Sequence, residues 1–504
     1  MWEGPTAVRF VFDNIIRSIN LVLVIILRNT EKPVNVPVAP PIRTTMYVFF
    51  FFLLHIIRVS ADNFCYGTDL PEAVPCRFFA AVIDAGSTGT RLHLYKYLHD
   101  INSQGLPVVV EQEIFHEVKP GLSSYTEDPR GAADSVRELL IRAKQVVPNF
   151  MWEKTPVALK ATAGLRLLPH NKAGEIMSLV QAEVHNSGLF TIPNAVSILS
   201  GSDEGIYSWL TLNLLLKALH FSEKDIERLH RVAAFDLGGG STQVTYMPDD
   251  REIFTSHPQY ERTLSFLERD INLFTHSFLG NGLVSARFGV LSRSTTDKGK
   301  ALNQLTTACL PPNFKLLEYE YILDKYNISG SDDYSFEQCY KHSREFVEHS
   351  TIMKLDIGDH DLYLFSYFFD RGLNAGLVQD NNGGKIKLLD YKHAAEKACI
   401  RQTEDFSDAA HWMPWQCLDL TYIYTLLHDG YGFPDNQELN LVKKIKQMEV
   451  AWAQGLSYDV ITQFRSSDGV LNMVTRENGT VADQLWELIY SGTNNILEFF
   501  NLVS

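Results

Sequence analysis

The chain has 504 residues, of which 45% are hydrophobic and 21% charged, and a formal net charge of −15. That length exceeds the ~100–200 residues usual for one domain, so more than one core is expected. The composition is globular, and the acidic balance disfavours a nucleic-acid-binding role, which usually shows a basic face; any phosphate must be held locally, by backbone amides, hydroxyls or a metal.

Residues 1–61 stand apart from the globule. INLVLVIIL (19–27) and MYVFFFFLLHII (46–57) are apolar but shorter than the ~20 residues of a membrane helix, and Arg9, Arg17, Arg28, Lys32 and Arg43 precede or flank them. An apolar core behind basic charge and followed by RVSA reads as a secretory signal. Either cleavage after Ala61 or retention as a signal-anchor places the rest of the chain in the secretory lumen or outside the cell, with the membrane touched only through this segment. The cysteines agree with that compartment: Cys65, Cys76, Cys309, Cys339, Cys399 and Cys417 are even in number, and pairing by proximity in sequence joins 65 to 76, 309 to 339 and 399 to 417. No CxxC spacing suggests zinc. Asn327-Ile328-Ser329 and Asn478-Gly479-Thr480 are glycosylation sequons.

The first strand signal is RFFAAVID (77–84), a run suited to full burial, with LHLYKY (92–97) as its hairpin partner. Between them Gly86 and Gly89 free the turn to point backbone N–H groups at an anion, Ser87, Thr88 and Thr90 add hydroxyls, and Asp84 at the strand end can hold a cation directly or through water. Taken alone, this is an ordinary polar hairpin. GAADSVRELLIRAKQVVP (131–148) places Val136, Leu139, Leu140, Ala143 and Val147 at helical spacing and reads as a core-facing helix. Ser202, Asp203 and Glu204 open a helix with Ile206, Trp209 and Leu210 on one face, where acids commonly cap.

RVAAFDLGGGSTQVTYMP (231–248) then repeats the first design: a buried run, Asp236, a glycine-rich turn with Ser241 and Thr242, and an outgoing strand. A duplicated strand–acid–glycine turn at domain spacing implies two similar α/β lobes that each present a phosphate loop to one cleft. Further on, YLFSYFFD (363–370) is either an aromatic base-stacking platform or a core strand. The histidines form no HExxH pattern, and His93 in the outgoing strand is read as structural.

DAGSTGTR (84–91), ALKATAGLRLLP (158–169), GSDEGIYSWLTLN (201–213) and DLGGGSTQ (236–243) resemble, in order, conserved regions of the apyrase, or nucleoside triphosphate diphosphohydrolase, family. LFSYFFDRGLNAG (364–376), CLDLTYIYTLLHDGYGF (417–433) and VAWAQG (450–455) are similar to weaker ones, so the resemblance covers residues 78–500. It implies an α/β fold with two actin/Hsp70/sugar-kinase-like (RNase H-like) lobes around a nucleotide cleft. Lobe one is expected at 78–200 plus 450–504 behind a lead-in at 62–77, and lobe two at 201–449, its loops braced by Cys309–Cys339 and Cys399–Cys417. DAGSTGTR, SDEG and the lack of a C-terminal apolar span resemble the type five and six branch, the lumenal or secreted nucleoside diphosphatases.

The resemblance also implies roles. Asp84 and Asp236 would hold Mg2+ or Ca2+ through its waters, and Ser87, Thr88 and the amides of Gly86, Gly89, Gly238 and Gly239 would bind phosphate oxygens. Glu204 would take the proton of the attacking water, Ser241 and Gln243 would position that water with Thr162 in the same network, and Phe369 and Tyr431 would stack the nucleobase. The implied function is a monomeric, metal-dependent phosphatase that hydrolyses UDP or GDP in the ER or Golgi, or after secretion, and supports glycoprotein glycosylation. An exopolyphosphatase-like hydrolase shares the DxGGGST loop, and a non-hydrolysing actin-like nucleotide binder shares the fold. SDEG and the secretory signal disfavour the first, and a full water-activating set disfavours the second.

Overall fold

A computed structural model describes residues 64–65, 75–99, 108–216, 231–249, 251–266, 269–294, 303–402 and 411–475. The expected signal or anchor at 1–61 and the sequon at Asn478 lie outside these residues. Among them, no helix is long and apolar enough to cross a membrane.

The first half builds a mixed sheet from β1 (Cys76–Ala85), β2 (Thr90–His99), β3 (Val108–Val118), β4 (Pro156–Ala161) and β5 (Phe190–Ile198), in the order β3-β2-β1-β4-β5. β1 pairs antiparallel with β2 and parallel with β4. Ala80, Ala81, Val82 and Ile83 are fully buried, as an apolar run without alternation requires of a strand covered on both faces. The helix Pro129–Val146 starts on Asp128, whose carboxylate accepts from Gly131 N–H, and buries Val136, Leu139, Leu140 and Ala143.

The second half follows the same plan. It contributes β6 (Val232–Leu237), β7 (Ser241–Tyr246), β8 (Glu261–Phe266) and β9 (Arg269–Leu279), then a small three-stranded sheet of β10 (Gln304–Thr307), β11 (Lys315–Tyr321) and β12 (Asp324–Gly330). β13 (Asp361–Ser366), β14 (Gly384–Lys387) and β15 (Glu438–Leu441) complete a sheet ordered β14-β15-β13-β6-β7-β9-β8. β6 stands where β1 stands in the first sheet, antiparallel to its hairpin partner β7 and parallel to β13. The buried apolar residues form two cores: one contains Ile83, Leu159 and Trp452 and reaches the second sheet at Ala234, Leu273 and Phe365, and the other contains Phe235, Phe278 and Tyr431.

Two helices of the first core pack against each other. Gly201–Leu215 lies on β6, β7 and β9, while Trp452–Thr475 lies on β1, β4 and β5. Gly455 sets their approach: a side chain there would enter the backbone of Tyr207, and its N–H donates to Thr211 Oγ1 at 2.8 Å. The disulfides Cys65–Cys76, Cys309–Cys339 and Cys399–Cys417 are all formed.

Candidate active site

The two glycine turns end at the same place. Gly239 packs so closely on Ser87 that a side chain on it would enter the serine hydroxyl, and Thr88 Cγ2 is the next neighbour. Both turns are supported from behind by further glycines: Gly121 and Gly164 lie against Gly86 and Ser87, and Gly282 against Gly239 and Ser241 N. Ser87 and Thr88 of the first turn thus face Gly239 of the second, and Gly86, Gly89 and Gly238 belong to the same two turns. Thr162 is buried at the end of β4, where its N–H donates to Ala85 O at 3.2 Å beside the first loop.

Asp84 and Asp236 occupy equivalent strand ends, each buried. Arg91 Nη1 donates to Asp84 Oδ2 at 3.3 Å, whereas Asp84 Oδ1 is buried without a hydrogen-bond partner. Burial raises the Asp84 carboxyl above its ordinary value against the pull of Arg91 and His93. Asp236 is pushed up to about 6, first by burial and then by the charge of Asp84, while Ser366 opposes the shift. A divalent cation fits these acids: Asp84 Oδ1 is a buried carboxylate oxygen without a hydrogen-bond partner, and a cation would relieve the repulsion between the two charges. Among the described residues no cluster of three His, Cys, Asp or Glu side chains could hold a metal. Phosphate oxygens and water would therefore complete the coordination, as hard oxygen-seeking ions such as Mg2+ or Ca2+ accept.

Glu204 is not the helix cap. Ser200 takes that role, accepting from Asp203 N–H at 3.1 Å and donating to Asp203 Oδ2 at 2.7 Å. Glu204 turns inward instead, where Arg166 Nη2 donates to its Oε2 at 2.6 Å and Gln243 Nε2 to the same oxygen at 3.2 Å. Gln243 Nε2 also approaches Ser241 Oγ at 2.7 Å and Ser277 Oγ at 2.9 Å. Gly205 lets the helix sit this deep, because a Cβ there would stand 2.5 Å from Thr245 Oγ1. Burial, reinforced by the charges of Asp236 and Asp84, pushes the Glu204 carboxyl up to about 8, with Arg166 pulling the other way.

Two residues of this cluster escaped the sequence reading. Arg166 lay inside the second conserved stretch, but nothing in its spacing said that it reaches Glu204. Ser277 sits on β9 in no motif and enters through its register with Gln243.

The proposed base-stacking pair is corrected by burial. Phe369 and Tyr431 are each 0% exposed. Tyr431 packs on Phe235, Phe278 and Phe433, so neither ring offers a free face to a base. The run 363–370 is a core strand that becomes a helix at Tyr367. Tyr363 and Tyr367 are the half-buried rings there, and the Arg371 guanidinium lies 5.3 Å from the Tyr367 centroid.

Two mixed sheets with facing glycine turns and acids at equivalent strand ends define a duplicated α/β fold. The chain covers 84% of its length on the nucleoside triphosphate hydrolases from Neospora caninum, and 98% of that chain, with a TM-score of 0.52 at 14% identity, a likeness of fold. The model of the GDA1/CD39 (nucleoside phosphatase) family matches residues 76–472. The nucleoside-diphosphatase uda-1 of Caenorhabditis elegans is 52% identical over 92% of this chain and 99% of its own length. The nucleoside diphosphate phosphatase ENTPD5 of Homo sapiens is 37% identical over 76% of this chain and 87% of its own. The chain belongs to the GDA1/CD39 nucleoside phosphatase family and is a phosphoanhydride hydrolase.

Proposed function

We propose that the chain removes the terminal phosphate of nucleoside diphosphates, UDP and GDP among them, to give the monophosphate and inorganic phosphate. The observation that carries this reading is Glu204, a buried carboxylate held by Gln243 and Arg166 beside the two facing phosphate loops. The relatives named for diphosphate hydrolysis support the choice of substrate.

In this reading, the amides of the 86–89 and 238–241 turns, with Ser87 and Thr88, grip the terminal phosphate oxygens. Ser241 and Gln243 orient a water in line with the bond to be broken, and Glu204 accepts its proton. The water oxygen bonds to phosphorus while the bridging P–O bond breaks, its electron pair leaving on the nucleoside monophosphate. A divalent cation held by Asp84 and Asp236 supplies neutralisation of the phosphate charge. Tyr367 replaces Phe369 as the candidate ring beside the base. The secretory lumen is the expected compartment, supported by the three disulfides and the exposed Asn327. There the enzyme would clear the nucleotide left by glycosyl transfer.

The test is phosphate release from UDP, GDP, ADP and polyphosphate by the purified protein, with Mg2+ or Ca2+ and with EDTA. Diphosphate hydrolysis that EDTA abolishes is expected. Turnover of polyphosphate alone would favour the exopolyphosphatase-like alternative.

A further inference from the structure

Arg166 ends the short helix Ala163–Arg166 that follows β4, and its side chain is 16% exposed against 8% for that of Glu204. Its Nη2 donates to Glu204 Oε2 at 2.6 Å and to Ser241 Oγ at 3.2 Å. Gly201, on the helix that carries Glu204, makes room for this guanidinium: a Cβ on Gly201 would lie 2.5 Å from Arg166 Nη1. Gln243 Nε2 addresses the same carboxylate oxygen from β7. Both donors thus converge on Oε2, and Oε1 makes no hydrogen bond among the described residues.

We propose that Arg166 is the positioning residue of the water-activating carboxylate: it pins Glu204 Oε2, turns Oε1 toward the attacking water, and ties Glu204 to Ser241, the second group that orients this water. The proposal rests on Glu204 being the base. An arginine suits the task because its planar fork can serve two oxygens at once and keeps its charge at any working pH. The charged groups around Glu204 are Arg166, Asp236 and Asp84; the two acids disfavour the carboxylate form of Glu204, and Arg166 is the cation that favours it. Without the guanidinium the carboxylate would be harder to ionise and free to rotate.

The experiment compares the full chain with R166M, R166K, E204Q and R166M/E204Q, measuring kcat, KM and the pH profile of kcat/KM for UDP, together with binding of the non-hydrolysable α,β-methylene analogue. For R166M, kcat is expected to fall ~10²-fold, the size of a ~1 Å misplacement of a reacting group. KM and analogue binding should change little, and the ascending limb of kcat/KM should move to higher pH. R166K, which keeps one donor and the charge, should recover part of the rate with a smaller shift of the limb, and R166M/E204Q should be no slower than E204Q. An unmoved limb, or a double variant slowed by the full R166M factor beyond E204Q, would overturn the proposal. So would a loss confined to KM, which would place Arg166 on the phosphate. Should R166M not bind the analogue, R166K decides: a wild-type rate and limb sink the idea. Failure of the base reading shows separately, as near-wild-type turnover in E204Q.

Discussion

Gly239 rests directly on the hydroxyl of Ser87, and that contact joins the second phosphate loop to the first. It follows from two glycine turns at equivalent strand ends, after β1 and after β6. Any side chain at 239 must part the loops, and a displacement of ~1 Å at a reacting group can cost ~10²-fold in rate. G239A is expected to lower kcat/KM for UDP by about that factor while the fold persists, as judged by circular dichroism and the melting temperature. Unchanged kcat/KM would mean that the loops need not touch to work.

Replacing Glu204 by Gln preserves its shape and its place opposite Arg166 but removes the proton acceptor. Turnover should fall ~10²–10⁴-fold, the usual contribution of a positioned base. The analogue should still bind, because the phosphate loops are untouched. Near-wild-type phosphate release from this variant would remove Glu204 from the mechanism.

The legible and illegible parts of this site differ in physical kind. Asp84, Asp236 and the glycines of both loops could be read because each lies in a local pattern, a buried run followed by a turn that needs glycine. The disulfides could be read because each pairs neighbours in sequence. Glu204 alone looked like a helix cap, and only the resemblance separated it from Asp203; the structure shows why, since Ser200 and Asp203 satisfy the helix end between them. Arg166 and Ser277 depended on tertiary register, which spacing does not encode. Phe369 and Tyr431 failed for a related reason: an aromatic run does not tell which ring faces the cleft, and both of these face the core.

Asp84 and Asp236 are buried acids whose carboxylates are disfavoured until a cation arrives. D84A and D236A should each abolish cation-dependent hydrolysis. Without divalent ions at pH 8, the melting temperature of D236A should equal or exceed that of the unaltered protein, since a buried charge is gone, whereas D84A also strips Arg91 of a partner and should gain less. Phosphate assays and thermal melts with and without EDTA check both. Loss of activity in only one variant would reduce the cradle to a single loop.

The raised carboxyls also set a pH dependence of stability. Glu204 moves from 4.5 to about 8 on folding, so between those values the folded chain holds a proton that the unfolded chain has lost. The contribution of Glu204 is therefore fully present below pH 4.5 and is lost as pH rises through about 8; that of Asp236 is lost through about 6. The cation-free protein should melt at progressively lower temperature as the pH is raised across the neutral range, and Mg2+ or Ca2+ should flatten the decline. E204Q should show a shallower decline without any cation; an identical slope would remove Glu204 as its source.

Substrate length tests how the two loops and Glu204 are matched. In the proposed mechanism the loops grip a phosphate group from both sides and Glu204 addresses the water on one flank of it, which would fix the distance of the reacting phosphorus from the loop amides. A nucleoside whose base and ribose occupy their own subsite then presents its β-phosphate at that point if the cleft is fitted to diphosphates. A triphosphate places its γ-phosphate one unit beyond, or must shift its base to compensate. Because ~1 Å of misplacement can cost ~10²-fold, kcat/KM for UDP and GDP is expected to exceed that for UTP and ATP by at least about tenfold. Measuring all four nucleotides at saturating Mg2+ and again at saturating Ca2+ separates register from cation choice. A preference that holds with both ions belongs to the loops, whereas equal or faster triphosphate hydrolysis would leave the family assignment standing and overturn the diphosphate fit of the cleft.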